Sequence, residues 1–280
     1  MLGQRVVTAV LLLALLIPAL VARQALPFAL LTLALIAAAA WEWARLNGVG
    51  SWGAWLSGGA VAAACAVTLA TGWVGRTPAA LWWAAALVWF VGAAVALRAG
   101  PAGWPHMPRA LRWGIGVVGL WVAWLAIGQA RGIGLNFVLS VFCLVWVADI
   151  AAYFGGRRFG RRKLAPSISP GKSWEGVYSG LAGVLLLALL WLWVDRRWSL
   201  TPSLYSELFA AGGAIALLLG CGVLAAMSVV GDLVESLVKR AAGAKDSSAL
   251  LPGHGGVLDR VDALLPVFPI ALALWSLTRL

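Results

Sequence analysis

Charged side chains are scarce in this 280-residue sequence: Asp, Glu, Lys and Arg together make up 11% of it, and hydrophobic residues make up 62%. Soluble domains usually carry about 25% charged residues. Because no soluble fold of this length could bury so much apolar surface, most of the chain must be solvated by lipid. Nucleic-acid binding is not expected either, despite the net charge of +11, because no basic soluble domain is present to carry it.

Cysteine and histidine are also rare, which argues against a metal site built on them. Cys65, Cys143 and Cys221 lie in separate apolar runs without metal-binding spacing, so we expect buried thiols. His106 lies in a proline-rich loop without polar neighbours. His254 lies between glycines and precedes acidic residues, so we expect it to contact a phosphate or to handle a proton.

Long apolar runs fill the rest of the chain, each able to cross about 30 Å of hydrocarbon. We predict an all-α polytopic membrane protein with about nine transmembrane helices. They lie at residues 6–22, 25–41, 52–75, 79–97, 113–130, 133–154, 176–194, 208–230 and 262–278. The first run has features of a signal peptide, but a second run follows at once, so we retain it as a helix.

Orientation follows from the distribution of basic residues. Fifteen of the 21 Lys and Arg residues lie at the N-terminus and in the even-numbered loops. The positive-inside rule therefore places the N-terminus and two basic loops, residues 155–175 and 231–261, in the cytoplasm. We divide the chain into an N-terminal part, 1–130, for scaffold and lipid access, and a catalytic part, 131–280.

Acidic residues cluster beside those two basic loops, which predicts a site at the cytoplasmic interface. Seven of the ten acids are there: Asp149, Glu175, Asp232, Glu235, Asp246, Asp259 and Asp262. Asp149 lies roughly one to two helical turns inside its apolar run. An acid at that depth needs a partner, a cation or water. It is either a site ligand or a structural partner for a nearby arginine.

The end of the eighth run carries a polar helix face. Asp232, Glu235, Ser236 and Lys239 are spaced i, i+3, i+4 and i+7, so they share one side of a helix. This face is either the solvated side of an interfacial helix or a metal ligand beside a phosphate clamp.

The ninth run begins with a second pair of acids. Asp259 and Asp262 share the first turn of a helix, where carboxylates stabilise the helix dipole. Two hard oxygen ligands on one face, without a histidine or cysteine pair, also fit Mg²⁺.

Two loops have features of phosphate binding. Lys172 and Ser173 follow Gly171, but a P-loop needs a glycine where this sequence has Pro166, and it also needs a parallel sheet. What remains is a cation and a hydroxyl placed just before a helix. In the second loop, Gly255 and Gly256 allow backbone N–H groups to approach a phosphate closely.

The stretch SLVKRAAGAKDSSALLPGHGGVLDRVD, residues 236–262, resembles the signature of bacterial phosphatidate cytidylyltransferases. Residues 148–149, 163–176 and 231–236 are similar to the same family. The resemblance covers residues 145–265, whereas residues 1–130 match only in helical character. It implies transfer of the cytidylyl group of CTP to phosphatidate, giving CDP-diacylglycerol and pyrophosphate for phospholipid synthesis in the bacterial inner membrane.

The resemblance also implies roles for the residues. Mg²⁺ would be held by Asp232, Asp259 and Asp262, with Asp149 in support and a second cation left open. The expected catalytic residues are Asp232, Asp246, Asp259, Asp262 and Lys239. The expected substrate-binding residues are Lys172, Ser173, Ser236, Arg240, Lys245, His254, Gly255, Gly256 and Arg260. The partners are CTP, phosphatidate and membrane lipids, and a homodimer is left open.

Two other functions compete with this one. A CTP-dependent lipid kinase of the polyprenol type would transfer the γ-phosphate instead and release CDP. A cation-coupled transporter would place its site near the bilayer midplane and often shows inverted repeats. The acids here lie at one interface and no repeat is visible, which favours the transferase.

Overall fold

The computed structural model describes residues 2–279, with side chains from Val7 onward. It consists of ten α-helices and one small antiparallel hairpin. The elements are α1 (Leu2–Val21), α2 (Leu26–Leu46), α3 (Ser51–Ala70), α4 (Ala79–Gly103), α5 (Arg109–Ile133), α6 (Leu135–Phe159), β1 (Lys163–Ala165), β2 (Ser169–Ser173), α7 (Trp174–Trp198), α8 (Leu204–Ala241), α9 (Leu258–Val261) and α10 (Leu264–Leu277).

Eight helical segments are long and apolar enough to cross a bilayer: α2 to α8, and α9 together with α10. The described part of α1, Val7–Val21, is a shorter apolar helix. Large apolar side chains such as Trp52, Leu56 and Ile215 point outward and are exposed. Between their ends, helices satisfy their backbone hydrogen bonds internally, which a lipid environment requires. The predicted all-α polytopic membrane fold is confirmed.

Most helices extend by a few residues beyond their predicted apolar runs, and α4 and α8 do so with a kink or an interruption. Helix α4 continues past residue 97 through a kink at Gly100, whose φ of 67° lies in the left-handed region. Helix α8 starts earlier than residue 208, is interrupted at Gly212 and Gly213, and continues to Ala241. Its last turns therefore carry the polar face of Asp232 to Lys239 out of the apolar run.

The first basic loop contains structure that the sequence does not predict. Strands β1 and β2 pair antiparallel, with Lys163 opposite Ser173 and Ala165 opposite Ser169. The Ser173 hydroxyl then accepts a hydrogen bond from the Gly176 N–H and caps α7. The cap and the hairpin together fix the position of Lys172, two residues before the first residue of α7.

Helices α6 and α7 approach each other closely through small residues. A Cβ atom at Gly180 would lie 2.9 Å from the Ala148 carbonyl oxygen, and one at Gly176 would lie 2.9 Å from the Ala152 carbonyl oxygen. Small residues at such contacts allow membrane helices to pack backbone against backbone. This contact fixes Asp149 of α6 relative to the start of α7.

A separate polar cluster joins α6, α7 and α8 at the end far from the basic loops. The Asp195 carboxylate accepts hydrogen bonds from Asn136 Nδ2 at 2.8 Å and from the Ser203 hydroxyl at 2.5 Å. Ser203 also caps α8. Asp195 therefore has a structural role, because its carboxylate oxygens accept hydrogen bonds from neighbouring side chains and do not face a cavity.

The start of α1 lies close to the second basic loop. The Thr8 hydroxyl, near the start of α1, donates a 2.8 Å hydrogen bond to the Pro252 carbonyl. The beginning of the chain and the second basic loop therefore share a face, as the predicted topology requires. The division at residue 130 stays a prediction, as does the homodimer.

Candidate active site

A cavity of about 520 Å³ lies where α6, the hairpin, α7, α8 and α9 meet. Its polar lining brings together residues that are far apart in the sequence. These are Asp149, Tyr153, Arg157, Ser169, Lys172, Ser173, Asp232, Asp259, Arg260 and Asp262. Ala152, Val177 and Val229 add apolar wall. The cavity thus combines carboxylates, cations and an apolar side within one space.

Lys172 and Asp232 form an ion pair across the cavity, with 2.7 Å between Nζ and Oδ2. The other oxygen of Asp232 accepts a 3.2 Å hydrogen bond from the Ser236 hydroxyl, one turn further along α8. Both members of the ion pair remain partly exposed. The hairpin and α8 are therefore held together at a point that a ligand can still reach.

Lys239 lies between two carboxylates and is largely buried. Its Nζ is 2.5 Å from Glu235 Oε2 and 2.5 Å from Asp259 Oδ1. The exposed fractions of the three side chains are 11% for Lys239, 3% for Glu235 and 7% for Asp259. Burial of three charges is tolerated only when each is paired. Lys239 therefore ties α8 to α9 and is not free, in this arrangement, to bind a phosphate.

The second carboxylate oxygen of Asp259, Oδ2, accepts hydrogen bonds from the loop that precedes this residue. Asp259 Oδ2 accepts hydrogen bonds from the Ser247 N–H at 2.9 Å, the Ser247 hydroxyl at 2.8 Å and the Gly256 N–H at 2.7 Å. Both oxygens of Asp259 thus have partners within the protein. The Gly256 N–H, which the sequence assigned to a phosphate, is already donated to Asp259.

Asp149 and Asp262 line the cavity with fewer constraints. Asp262 Oδ1 accepts a 2.8 Å hydrogen bond from the Ala263 N–H. Asp149 pairs with no lysine, arginine or histidine among the described side chains. The alternative that Asp149 is a structural partner for an arginine therefore finds no support, and a carboxylate aimed at the cavity remains.

The cavity acids suit a hard cation by their donor chemistry. Asp149, Asp232 and Asp262 offer carboxylate oxygens to one space. Across residues 2–279, no three acidic, histidine or cysteine side chains are close enough to form a ready-made metal cage. Mg²⁺ does not require one, because it usually binds through one or two carboxylates together with substrate phosphates and water. The residues present therefore fit Mg²⁺ by the chemistry of their donor atoms.

Several predicted site residues lie outside the cavity. Arg240 donates to the carbonyls of Ile168 and Ala244, at 3.4 and 3.1 Å, and so joins α8 to the hairpin turn and to its own following loop. Lys245 and Asp246 are exposed on the surface of the second basic loop. Their substrate-binding and catalytic roles stay predictions.

His254 and Gly255 belong to the tight turn of the same loop. The isolated pairing of Leu251 with Gly255 closes this turn, and Gly255 has a φ of 82°. The His254 carbonyl accepts a hydrogen bond from the guanidinium of Arg260, a residue that does line the cavity. His254 and Gly255 are thus next to the site through Arg260, and their contact with substrate stays a prediction.

Glu42 is the residue that the sequence analysis missed. It lies on α2, is fully buried, and accepts hydrogen bonds from the loop before Asp259. A signal was available, because an acid at the end of an apolar run is rare and needs a reason. Its partners lie more than 200 residues away in the sequence, so no spacing pattern could identify them.

The chain is similar to known proteins along nearly its whole length. Residues 3–278 match the sequence profile of the cytidylyltransferase family. A Pseudomonas aeruginosa protein named phosphatidate cytidylyltransferase is 40% identical over 282 residues, which cover 99% of this chain and 98% of the relative. A Haemophilus influenzae protein of the same name is 49% identical over 136 residues, covering 49% of this chain and 44% of the relative.

A more distant organism adds a third relative. A chloroplastic Arabidopsis thaliana protein named phosphatidate cytidylyltransferase 5 is 44% identical over 154 residues, covering 55% of this chain and 34% of the relative. The profile spans nearly the whole chain and so includes every helix that builds the cavity. The chain belongs to the cytidylyltransferase family.

Proposed function

We propose that this chain is a phosphatidate cytidylyltransferase, which converts CTP and phosphatidate into CDP-diacylglycerol and pyrophosphate. One observation carries the proposal: a single cavity at the end of the membrane helices is lined by carboxylates, by cations and by an apolar wall. Two relatives named phosphatidate cytidylyltransferase, one of them matched over 98% of its length, support the same reaction.

The reaction needs no nucleophile from the protein. A phosphate oxygen of phosphatidate, already ionised at neutral pH, forms a bond to the α-phosphorus of CTP. The bond from that phosphorus to the bridging oxygen of the β-phosphate breaks, and pyrophosphate leaves with the electron pair. Both reactants are anions, so the task of the protein is to position them and to offset their repulsion.

Cations of the cavity supply part of that compensation. Lys172, Arg157 and Arg260 line it from three different elements and can contact phosphate oxygens. When substrate binds, the Lys172 amine would leave its ion pair with Asp232 and contact a phosphate oxygen of the substrate. The apolar wall of Ala152, Val177 and Val229 leaves room for the glycerol end of a lipid whose chains stay in the bilayer.

Mg²⁺ is the cofactor that these acids fit, with Asp232 and Asp262 as its ligands and Asp149 in support. When bound, the ion neutralises charge on the nucleotide phosphates. Asp259, which the sequence also assigned to the metal, would have to release Lys239 first. We therefore assign to Asp259 the role of binding Lys239 and the preceding loop, whereas Asp232, Asp262 and Asp149 would hold the metal.

The site faces the cytoplasm of a bacterial cell and lies at its inner membrane. CTP is a cytoplasmic solute, and phosphatidate keeps its chains in the bilayer, so only the cytoplasmic interface offers both. The excess of Lys and Arg on the same side supports this orientation.

The test is product analysis with CTP labelled on the cytosine. Membranes containing the chain are incubated with phosphatidate and Mg²⁺, and lipids are extracted. At a Mg²⁺ concentration just sufficient for the wild type, the proposal expects cytosine label in the lipid phase, with much less label in Asp232→Asn and no change in Glu207→Gln. Glu207 is a suitable control because it lies in the first turn of α8 and pairs with Thr278 and Arg279, away from the cavity.

Other products would decide between the alternatives. Labelled CDP in water together with a phosphorylated lipid would identify a CTP-dependent kinase. Intact CTP after incubation with folded protein would contradict both enzymes and favour a transporter.

A further inference from the structure

Glu42 is a carboxylate buried without a counter-ion among the described residues. Its exposed fraction is 0%, and four donor groups lie within hydrogen-bonding distance of its carboxylate. They are the Ser247 hydroxyl at 3.1 Å, the Ser248 hydroxyl at 2.5 Å, the Val257 N–H at 3.0 Å and the Leu258 N–H at 2.6 Å. A buried carboxylate is tolerated when hydrogen bonds replace its lost hydration.

All four donors belong to one segment, residues 247–258, which immediately precedes Asp259. Val257 and Leu258 provide the first amides of α9, and no side chain within that segment caps them. The first amides of a helix have no partner inside the helix. Glu42 therefore does from α2 what a capping side chain usually does from the residue before a helix.

Asp259 also accepts hydrogen bonds from this segment, through Ser247 and Gly256. The Ser247 hydroxyl lies within hydrogen-bonding distance of Glu42 and of Asp259. Gly256 fits between them, since a Cβ atom there would overlap both the Glu42 carboxylate and the Ser247 hydroxyl. The absence of a side chain at Gly256 thus has a local cause that does not involve a substrate.

We propose that Glu42 is a positioning residue for cytidylyl transfer. It fixes residues 247–258 so that Asp259, Arg260 and Asp262 are presented to the cavity. Glu42 does not itself line that cavity, so it acts through the segment and not on the reactants. The inference rests on the proposed function, and it assigns the N-terminal helices a part in building the site.

The test compares Glu42→Ala and Glu42→Gln with Glu207→Gln, a matched control at the opposite end of the helices. Purified protein in lipid nanodiscs is followed by hydrogen exchange, thermal unfolding and steady-state kinetics with CTP. We expect amides of the segment 247–258 to exchange at least about tenfold faster in Glu42→Ala, because charge-assisted hydrogen bonds are lost. Exchange within α6 and α7 should stay as in the wild type.

Kinetics separate positioning from a general structural role. We expect kcat/KM for CTP to fall at least about tenfold in Glu42→Ala while the thermal midpoint moves by only a few degrees. Glu42→Gln keeps one acceptor oxygen and should lie between Glu42→Ala and the wild type. Glu207→Gln should change neither local exchange nor kcat/KM.

Two outcomes would overturn the inference: unchanged segment exchange in folded Glu42→Ala, or faster exchange spread evenly over all helices with a collapse of the thermal midpoint. If Glu42→Ala does not fold, Ser248→Ala removes one donor, and unchanged segment exchange and kcat/KM in that variant would overturn it instead. A wild type that leaves CTP intact would contradict the proposed function, whereas the exchange experiment tests the Glu42 contact independently.

Discussion

Lys239 is a buried cation that contacts two buried carboxylates. Its amine contacts Glu235 and Asp259 at 2.5 Å each, and Glu235 has an oxygen, Oε1, without a hydrogen-bond partner in the described part of the chain. From the sequence, Lys239 was expected to be a catalytic residue on a helix face that it shares with Asp232, Glu235 and Ser236. Spacing identified the shared face but could not show that α9 brings a second carboxylate against it.

Replacing Lys239 by methionine should therefore lower the free energy of unfolding, because the main role of Lys239 in this structure is to pair with buried carboxylates. Two carboxylates would remain buried without their cation, which typically costs about 3–5 kcal/mol. The measurement is the thermal or denaturant midpoint in detergent, with Lys245→Met as the control because Lys245 is exposed. Equal stability of the two variants would contradict the buried role.

The carboxylates at positions 232 and 259 should respond differently to Mg²⁺. Asp232→Asn removes a proposed ligand, so we expect about 10–100-fold more Mg²⁺ to be needed for half-maximal activity. Asp259→Asn disturbs Lys239 and the loop instead, so its loss of activity should not be recovered by added Mg²⁺. A Mg²⁺ titration of both variants checks this, and identical titration curves would contradict the separation of roles.

At the scale of the elements, the α6–α7 contact sets the depth of Asp149 relative to the hairpin. The helices themselves follow from apolar runs, which is why most spans were predictable. The hairpin was not, because its two strands are three and five residues long and carry polar and glycine residues without a period of two. Pairing between such short segments depends on the cap at Ser173 and on the packing of buried Ile168.

Two glycine substitutions test this contact with opposite signs. Gly180→Ala places a Cβ atom 2.9 Å from a backbone oxygen of α6, so we expect a loss of about 1–3 kcal/mol in unfolding free energy. Gly222→Ala, in α8, meets nothing within 4 Å and should be neutral or stabilising by about 0.5–1 kcal/mol. Thermal unfolding of both variants provides the measurement. Unchanged stability in Gly180→Ala would mean that α6 and α7 do not pack as closely as described.

For the whole molecule, Glu42 of α2 is hydrogen-bonded to the loop that precedes Asp259, more than 200 residues further along the chain. Apolar runs, the distribution of basic residues and the cluster of acids were enough to predict the membrane class and the region of the cavity. They could not predict that Glu42 of α2 holds the loop before Asp259, because that contact forms only when the chain is folded. Composition likewise could not divide the acids into those that face the cavity and those that bind the protein.

The most direct test of the central claim is the fate of each phosphate of CTP. Membranes containing the wild-type chain receive phosphatidate, Mg²⁺ and CTP labelled on either the α- or the γ-phosphorus. Cytidylyl transfer predicts α-label in the extracted lipid and γ-label in pyrophosphate in the water phase, with both products much reduced in Asp232→Asn at a Mg²⁺ concentration just sufficient for the wild type. Label from the γ-phosphorus in the lipid, with α-label left in water as CDP, would contradict the account.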